Sequence, residues 1–160
     1  MSQVLAYFLT WTCYGTWHRG DERGSIDREH QHPGTDTARP SEVRVLVNTA
    51  RMKGEPVTLT PQDREVADRT IRDHCEHRGW TLLALNARSN HVHVVVRCDN
   101  DTPPERAMSE FKAWSTRRLR EHDDRFIETQ VWTEHGSTRW IKDTNSLRLA
   151  IEYVEEHQDR

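Results

Sequence analysis

One segment, HVHVVV at positions 91–96, constrains the fold of this chain more than any other part of its sequence. β-Branched valines favour an extended strand, in which successive side chains point to opposite faces. We therefore expect the even-numbered valines to be buried beneath helices, whereas His91 and His93 share the other face, about 7 Å apart along the strand. Two imidazoles on one face can bind a divalent metal ion. For an isolated His-x-His, however, a half-exposed strand with two surface histidines is the favoured interpretation, and the rest of the chain has to change it.

The length and composition of the chain limit its class. A chain of 160 residues suits a single domain with its own hydrophobic core. A net charge of −3 argues against binding of nucleic acid through the overall field, so an anionic ligand must meet a local basic patch. Three cysteines without a Cys-x-x-Cys pair predict reduced thiols and a cytoplasmic location. No apolar run approaches the length of a membrane span, so we expect no membrane partner.

A polar stretch at about residues 18–50 interrupts the pattern of strands and helices. Its glycines, prolines and mixed charges predict an insertion within one domain that spans residues 1–160. The insertion contains His18, His30 and His32. Solvated loop histidines are the interpretation that we favour there over a second metal site.

The order of the predicted elements indicates an α+β fold. Strand patterns lie at 4–12, 81–87, 91–96 and within 131–141, with a further short strand at 56–60. Helix patterns lie at 60–79, 105–122 and 146–158, the last of them capped by Asn145. This order is that of the ferredoxin-like split βαβ sandwich, an antiparallel sheet with helices on one face, extended here by a C-terminal helix. In that plan the first and third strands are central, and the third carries the histidines.

The predicted C-terminal helix presents two polar side chains at the edge of its buried stripe. Tyr153 and His157 are four residues apart, so they lie one above the other on one helix face. The helix can therefore pack against the sheet and still present a hydroxyl and an imidazole sideways. Taken alone, this pattern favours a half-buried boundary tyrosine. The buried stripe consists of Leu147, Ala150, Ile151 and Val154.

Two separated segments together resemble the signature of a known family. The segments NHVHVVV at 90–96 and YVEEHQ at 153–158 resemble the paired motifs of single-tyrosine HUH transposases, where HUH denotes His, hydrophobic residue, His. Within that group the chain is most similar to the REP-associated tyrosine transposases and related small insertion-sequence transposases. The resemblance extends over about residues 5–158 apart from the insertion. The segment KAWSTRRLR at 112–120 resembles the family's basic helix, and GSTRW at 136–140 its final strand.

The resemblance implies roles for particular residues. His91 and His93 correspond to the metal-binding histidines, and Tyr153, on the C-terminal helix, corresponds to the nucleophile. His157 falls where relatives place a polar third ligand, often Gln or Asn, and Gln158 is the alternative. The implied cofactor is Mg²⁺ or Mn²⁺, and nitrogen ligands favour Mn²⁺.

The resemblance also implies a reaction and its partners. The implied reaction is cleavage and rejoining of single-stranded or hairpin DNA through a 5′-phosphotyrosine intermediate, by a monomer or a homodimer. A non-cleaving DNA-binding protein derived from such a transposase is the main alternative. A hydrolase whose histidines bind zinc is a further alternative, although the sequence offers it no third carboxylate or cysteine at a suitable spacing. Tyr14, just after the first strand, is an alternative candidate for the tyrosine that lies beside the histidines.

A basic helix and three flanking positions are the candidate DNA contacts. Basic side chains can hold a phosphate backbone while an aromatic ring stacks on a base. A solvated helix face is the alternative, because acidic residues dilute the charge, and Trp114 fits a core position equally well. The candidates are Lys112, Trp114, Arg117, Arg118 and Arg120 on the helix, with Arg88, Asn90 and Arg139 beside the strands.

Overall fold

The computed structural model describes residues 3–16 and 56–156 of the chain. The insertion expected at 18–50, and His157 and Gln158, lie outside these residues. The strands are β1 (Ala6–Cys13), β2 (Thr81–Ala87), β3 (His91–Arg97) and β4 (Trp132–Ile141). The helices are α1 (Pro61–Arg78), α2 (Pro104–His122) and α3 (Thr144–Glu156), with a short 3₁₀ turn at Asp124–Phe126. Over this part of the chain, none of the helices has the length and apolar character needed to cross a membrane.

The four strands form one antiparallel sheet in the order β2-β3-β1-β4. The first and third strands are therefore central, as the ferredoxin-like plan predicts. The register pairs His93 with Thr10 on β1 and with Asn86 on β2. Polar residues from three neighbouring strands thus meet in one row across the sheet, because cross-strand partners point to the same face.

The two faces of the sheet carry different helices. Val92, Val94 and Val96 are fully buried and pack in one hydrophobic cluster with residues of α1 and α2, which confirms the predicted orientation of the strand. On the opposite face, α3 buries Val154 in a second cluster that includes Val95. The helices expected on one face are therefore α1 and α2, and the C-terminal helix covers part of the histidine face.

The boundaries of α1 follow from its capping residues. The Thr60 side chain accepts a hydrogen bond from the backbone of Asp63, and the Asp63 carboxylate accepts one from the backbone of Thr60. This reciprocal capping box satisfies two N–H groups that the first helical turn leaves without partners. Gly79 ends the helix in the left-handed conformation, at φ 75°, which a glycine adopts without steric cost. The predicted helix at 60–79 is confirmed.

Two smaller predictions about local structure are wrong. Residues 56–60 form no regular strand, because the N–H of Val57 donates to Tyr14 and that of Leu59 donates to Ser89, on two different segments. The last helix begins at Thr144, within residues that the prediction assigned to a loop. Asp143 caps it in place of Asn145, since the Asp143 carboxylate accepts from both the backbone and the hydroxyl of Ser146.

Asp63 is expected to make the stability of the fold depend on pH. Its side chain is 1% exposed and lies beside Arg125 and His122. Burial raises the pKa of this carboxyl, but hydrogen bonds from Arg125 and Thr60 outweigh that effect and hold the pKa below 3.8. The charged form therefore stabilises the fold above that pH, and the stabilisation is lost as the pH falls through the lower folded value. Asp63→Asn should lower the free energy of unfolding by about 2 kcal/mol at pH 7.

Thermal unfolding between neutral and acidic pH tests this expectation. Asp68→Asn is the matched control, because Asp68 lies on the same helix in an exposed pair with Arg72 and should contribute less than about 1 kcal/mol. Equal effects of the two substitutions at pH 7 would contradict the role assigned to Asp63.

Candidate functional site

The two histidines of β3 lie side by side on the face of the sheet that α3 partly covers. Their ring centroids are 4.6 Å apart, and the rings are nearly perpendicular. His91 is half-buried, whereas His93 is only 7% exposed, which is deeper than the half-exposed position expected from the strand pattern. The added burial comes from the C-terminal helix, whose Tyr153 ring lies 5.4 Å from the His93 ring.

Each imidazole has a hydrogen-bond partner at Nδ1. The Nδ1 of His91 lies 2.7 Å from the Oδ1 of Asn90. The Nδ1 of His93 lies 2.9 Å from the Oγ1 of Thr10, its cross-strand partner. Both partners are neutral, so the two rings are held by hydrogen bonds rather than by an ion pair at these atoms.

Tyr153 combines a fixed ring with an accessible position. The ring packs against His93 and lies 6.0 Å from the ring of Phe8, yet the residue is 43% exposed. The helix that carries it is fastened to the sheet, because the Nδ2 of Asn86 donates to the carbonyl of Val154 over 3.0 Å. Since Asn86 pairs with His93 across the strands, this bond fixes the last turn of α3 beside the histidines.

The other candidate nucleophiles lie elsewhere. Tyr7 and Tyr14 pack with the cluster beneath α1 and α2, on the opposite face, so Tyr14 does not take the place of Tyr153 beside the histidines. The three cysteines are free thiols. Burial raises the pKa of Cys13, Cys75 and Cys98 to about 12, which leaves them protonated at neutral pH.

The two imidazoles are a suitable, though partial, donor set for a divalent metal. A ring-centroid separation of 4.6 Å is compatible with two nitrogens at about 2.0–2.2 Å from one ion. Among residues 3–16 and 56–156, no group of three His, Cys, Asp or Glu side chains is placed to hold a metal. The predicted third ligand, His157 or Gln158, lies outside those residues.

The predicted basic helix, α2, lies on the face of the sheet opposite to the histidines. Its buried residues pack in the same cluster as Val92 and Val94. The Lys112 ammonium donates to the carbonyls of Thr133, Glu134 and His135 at 2.8–3.3 Å, and burial lowers its pKa. The guanidinium of Arg120 donates to the carbonyls of Phe126 and Thr129. These two side chains fasten neighbouring backbone segments to the helix.

The remaining candidate contacts fall into two groups. Trp114 is 37% exposed, so it is not a core residue, and the guanidinium of Arg117 lies 4.4 Å from its ring centroid. Arg118 is exposed on the same helix. Arg139 is exposed on the histidine face, with its guanidinium 5.9 Å from the ring of Phe8. Arg88 is buried in the turn between β2 and β3, next to Asn90.

Three residues of the site were not identified from the sequence. Phe8, Thr10 and Asn86 all point to the histidine face. Strand alternation alone places Phe8 and Thr10 on one face of β1. The register that sets Thr10 and Asn86 opposite His93 depends on tertiary pairing, which no local pattern encodes.

Comparison with known proteins identifies the family of this chain. The model of the family described as "Transposase IS200 like" matches residues 46–157. No curated protein matches the chain. Among solved structures, the REP-associated tyrosine transposase bound to a REP hairpin matches with a TM-score of 0.54 and 11% identity, over 96% of this chain and 66% of that one. A protein named a putative transposase from Deinococcus radiodurans R1 matches with a TM-score of 0.49 and 12% identity, over 99% of this chain and 95% of that one. At 11% identity the first likeness shows a shared fold, and this chain spans 66% of the length of that protein.

Proposed function

The chain belongs to the IS200-like transposase family, and we propose that it cleaves and rejoins single-stranded DNA through a covalent 5′-phosphotyrosine at Tyr153. The observation that carries this proposal is the packing of the Tyr153 ring against His93, which itself lies beside His91 in the same chain. A nucleophile that attacks an anionic phosphodiester needs nearby positive charge, and two imidazoles can hold a cation. The likeness to a transposase with a bound REP hairpin supports single-stranded or hairpin DNA as the substrate.

The metal that the family implies fits the nitrogen ligands present. His91 and His93 would hold it, with a third ligand from His157 or Gln158. When bound, a divalent cation there offsets negative charge on the scissile phosphate. Imidazole nitrogens favour Mn²⁺ over Mg²⁺, which prefers oxygen ligands.

Tyr153 would supply the attacking oxygen. In the proposed step a bond forms between its Oη and phosphorus, and the bond from phosphorus to the 3′ oxygen breaks. The phenolic proton leaves the tyrosine, and the departing oxygen ends as a free 3′-OH. The 5′ phosphate then remains on Tyr153, so attack by another 3′-OH restores a phosphodiester and the tyrosine without ATP. The 43% exposure of Tyr153 leaves it accessible to a strand of DNA.

DNA contacts are proposed on both faces of the sheet. Arg139 lies beside Phe8, which contacts the Tyr153 ring, so we assign Arg139 to a phosphate near the cleaved bond. Trp114 and Arg117 lie on α2, on the other face, and we assign them to DNA that continues beyond the site. Because Tyr153 and the histidines come from one chain, their meeting requires no homodimer.

A labelled oligonucleotide tests the proposed reaction. The protein is incubated with Mn²⁺ and a panel of hairpin-bearing single strands, each labelled at either the 5′ or the 3′ end, and separated on a denaturing gel. We expect the 3′-labelled product to migrate with the protein and the 5′-labelled product to be released with a free 3′-OH. DNA binding without an adduct across the panel would instead support a non-cleaving DNA-binding protein. Cleavage without an adduct would support a hydrolase.

Metal binding is expected to depend on the strand histidines. His91→Ala and His93→Ala each remove one of few ligands, so the Kd for Mn²⁺ should rise by about 100-fold or more. Titration followed by electron paramagnetic resonance of free Mn²⁺ measures this change. His77→Ala is the matched control, because His77 is exposed on α1 and lies on the opposite face.

The same titration identifies the third ligand. A loss of affinity in His157→Ala but not in Gln158→Ala assigns it to His157, and the reverse result assigns it to Gln158. Unchanged Mn²⁺ affinity in both strand variants would overturn the proposed metal site.

A further inference from the structure

We propose that Asn90 and Thr10 are positioning residues that fix the two imidazoles with Nδ1 protonated, so that each ring presents the lone pair of Nε2 to the metal. This inference rests on the proposed function in one respect, namely that a metal is what the Nε2 atoms bind. It changes the role expected of Asn90, which the sequence placed among the DNA contacts, and it gives Thr10 a role where the sequence suggested none.

The contact of Asn90 with His91 determines which nitrogen carries the proton. The amide Oδ1 of Asn90 can only accept a hydrogen bond, so the His91 Nδ1 at 2.7 Å must be the donor. A neutral imidazole has one N–H group, and the lone pair therefore lies on Nε2. Histidines that ligate metals through Nε2 commonly donate from Nδ1 to an oxygen in this way.

The backbone of Asn90 is itself held in place. Its carbonyl accepts hydrogen bonds from the N–H of Cys13 at 2.8 Å and from the hydroxyl of Thr16 at 3.4 Å. The turn between β2 and β3 is thus fastened to the end of β1. The backbone of the residue whose side chain orients His91 is thereby held at the end of β1.

Thr10 plays the corresponding part for His93. The Thr10 hydroxyl lies 2.9 Å from the His93 Nδ1. A hydroxyl can accept a hydrogen bond from Nδ1–H or donate one to an unprotonated Nδ1, and the proposed role is the first of these. His93 is 7% exposed and has the rings of Phe8 and Tyr153 within 6 Å, so its orientation is restricted by packing as well. The two positioning residues come from different parts of the fold, and in the proposed arrangement each accepts a hydrogen bond from Nδ1, so that Nε2 is the atom that would bind the metal.

The tautomers can be measured without metal. Long-range ¹H–¹⁵N spectra of the metal-free protein, at a pH of about 8 where imidazoles are neutral, distinguish protonated from unprotonated ring nitrogens. We expect both His91 and His93 to carry the proton on Nδ1. A proton on Nε2 of His91 would overturn the role of Asn90, and a proton on Nε2 of His93 would overturn that of Thr10.

Variants that remove or keep the oxygen test the consequence for metal. Asn90→Ala and Thr10→Val should weaken Mn²⁺ binding by about 10- to 100-fold, whereas Asn90→Asp and Thr10→Ser keep an acceptor and should retain it. Asn100→Ala, in the exposed turn after β3, is the matched control. Thermal melting without metal checks that each variant folds.

Two failures can be told apart. If the parent protein binds no Mn²⁺, the metal part of the proposed function is overturned, and the spectra still decide whether Asn90 and Thr10 fix the tautomers. If the parent binds Mn²⁺ and Asn90→Ala and Thr10→Val bind it equally well, the positioning roles are overturned and the metal site stands.

Discussion

Replacing Val94 with Asp is expected to unfold the domain. Val94 is completely buried on central strand β3, paired with Leu9 on one side and Leu85 on the other, in the cluster beneath α1 and α2. A carboxylate at this position would lose its hydration without gaining a partner, at a cost of several kcal/mol. A domain of this size has only about 5–15 kcal/mol of stability in total. Circular dichroism should therefore show a lost or strongly lowered melting transition.

A graded set of variants separates the effect of charge from that of volume. Val94→Ala removes two methyl groups and should cost about 2–3 kcal/mol, with folding retained. Val94→Thr keeps the shape but replaces one methyl group with a hydroxyl, so its effect should fall between those of Ala and Asp. Normal melting of Val94→Asp would mean that the valine face is not the buried face.

The fold was predictable because the alternation along the central strand and the order of the elements both agree with it. Alternation along β3 assigns Val92, Val94 and Val96 to one face and the two histidines, with Val95, to the other. The order of the elements then fixes which strands are central. The start of α3 was predicted two residues too late, because two neighbouring residues could each cap the helix. Asp143 and Asn145 are both good caps, and the one used is the one whose side chain reaches Ser146.

The candidate site was predictable only where its residues follow one another along the chain. The spacing of His91 and His93 is a local property of a strand, and their shared face follows from it. The position of Tyr153 against His93 depends on how α3 crosses the sheet, which the family resemblance suggested and helical spacing alone did not. Thr10 became visible only through the register of β1 with β3.

The basic helix α2 shows that residue type alone did not predict the contacts of its charged side chains. Counting Lys112 and Arg120 as positive charges indicated a nucleic-acid surface. Their contacts with backbone carbonyls depend on where β4 and the 3₁₀ turn pass, and the sequence does not encode those positions locally. A lysine or arginine side chain can donate to a backbone carbonyl that lacks a partner as readily as it can donate to a phosphate. The type of residue therefore does not by itself identify its partner.

Tyr153→Phe is expected to abolish cleavage and the covalent adduct while the domain stays folded. The substitution removes only the hydroxyl, so the ring still packs against His93 and Phe8. The melting temperature should change little, because a partly exposed hydroxyl contributes about 1 kcal/mol or less. The rate of strand cleavage should fall by about 10⁴-fold or more, as is typical when a nucleophile is removed. Binding of single-stranded DNA should persist, since the contacts proposed for Arg139 and Arg117 are unchanged.

Tyr14→Phe removes the same atom on the other side of the sheet and is the matched control. Tyr14 packs with the cluster beneath α1 and α2, so its substitution should leave the rate of cleavage and the yield of adduct unchanged. If Tyr153→Phe cut DNA as well as the parent, Tyr153 would be a packing residue for His93 and the nucleophile would lie elsewhere. Loss of the adduct in Tyr153→Phe alone, with DNA binding retained in both variants, would assign the attacking oxygen to Tyr153, because the two variants differ only in which side of the sheet loses a hydroxyl.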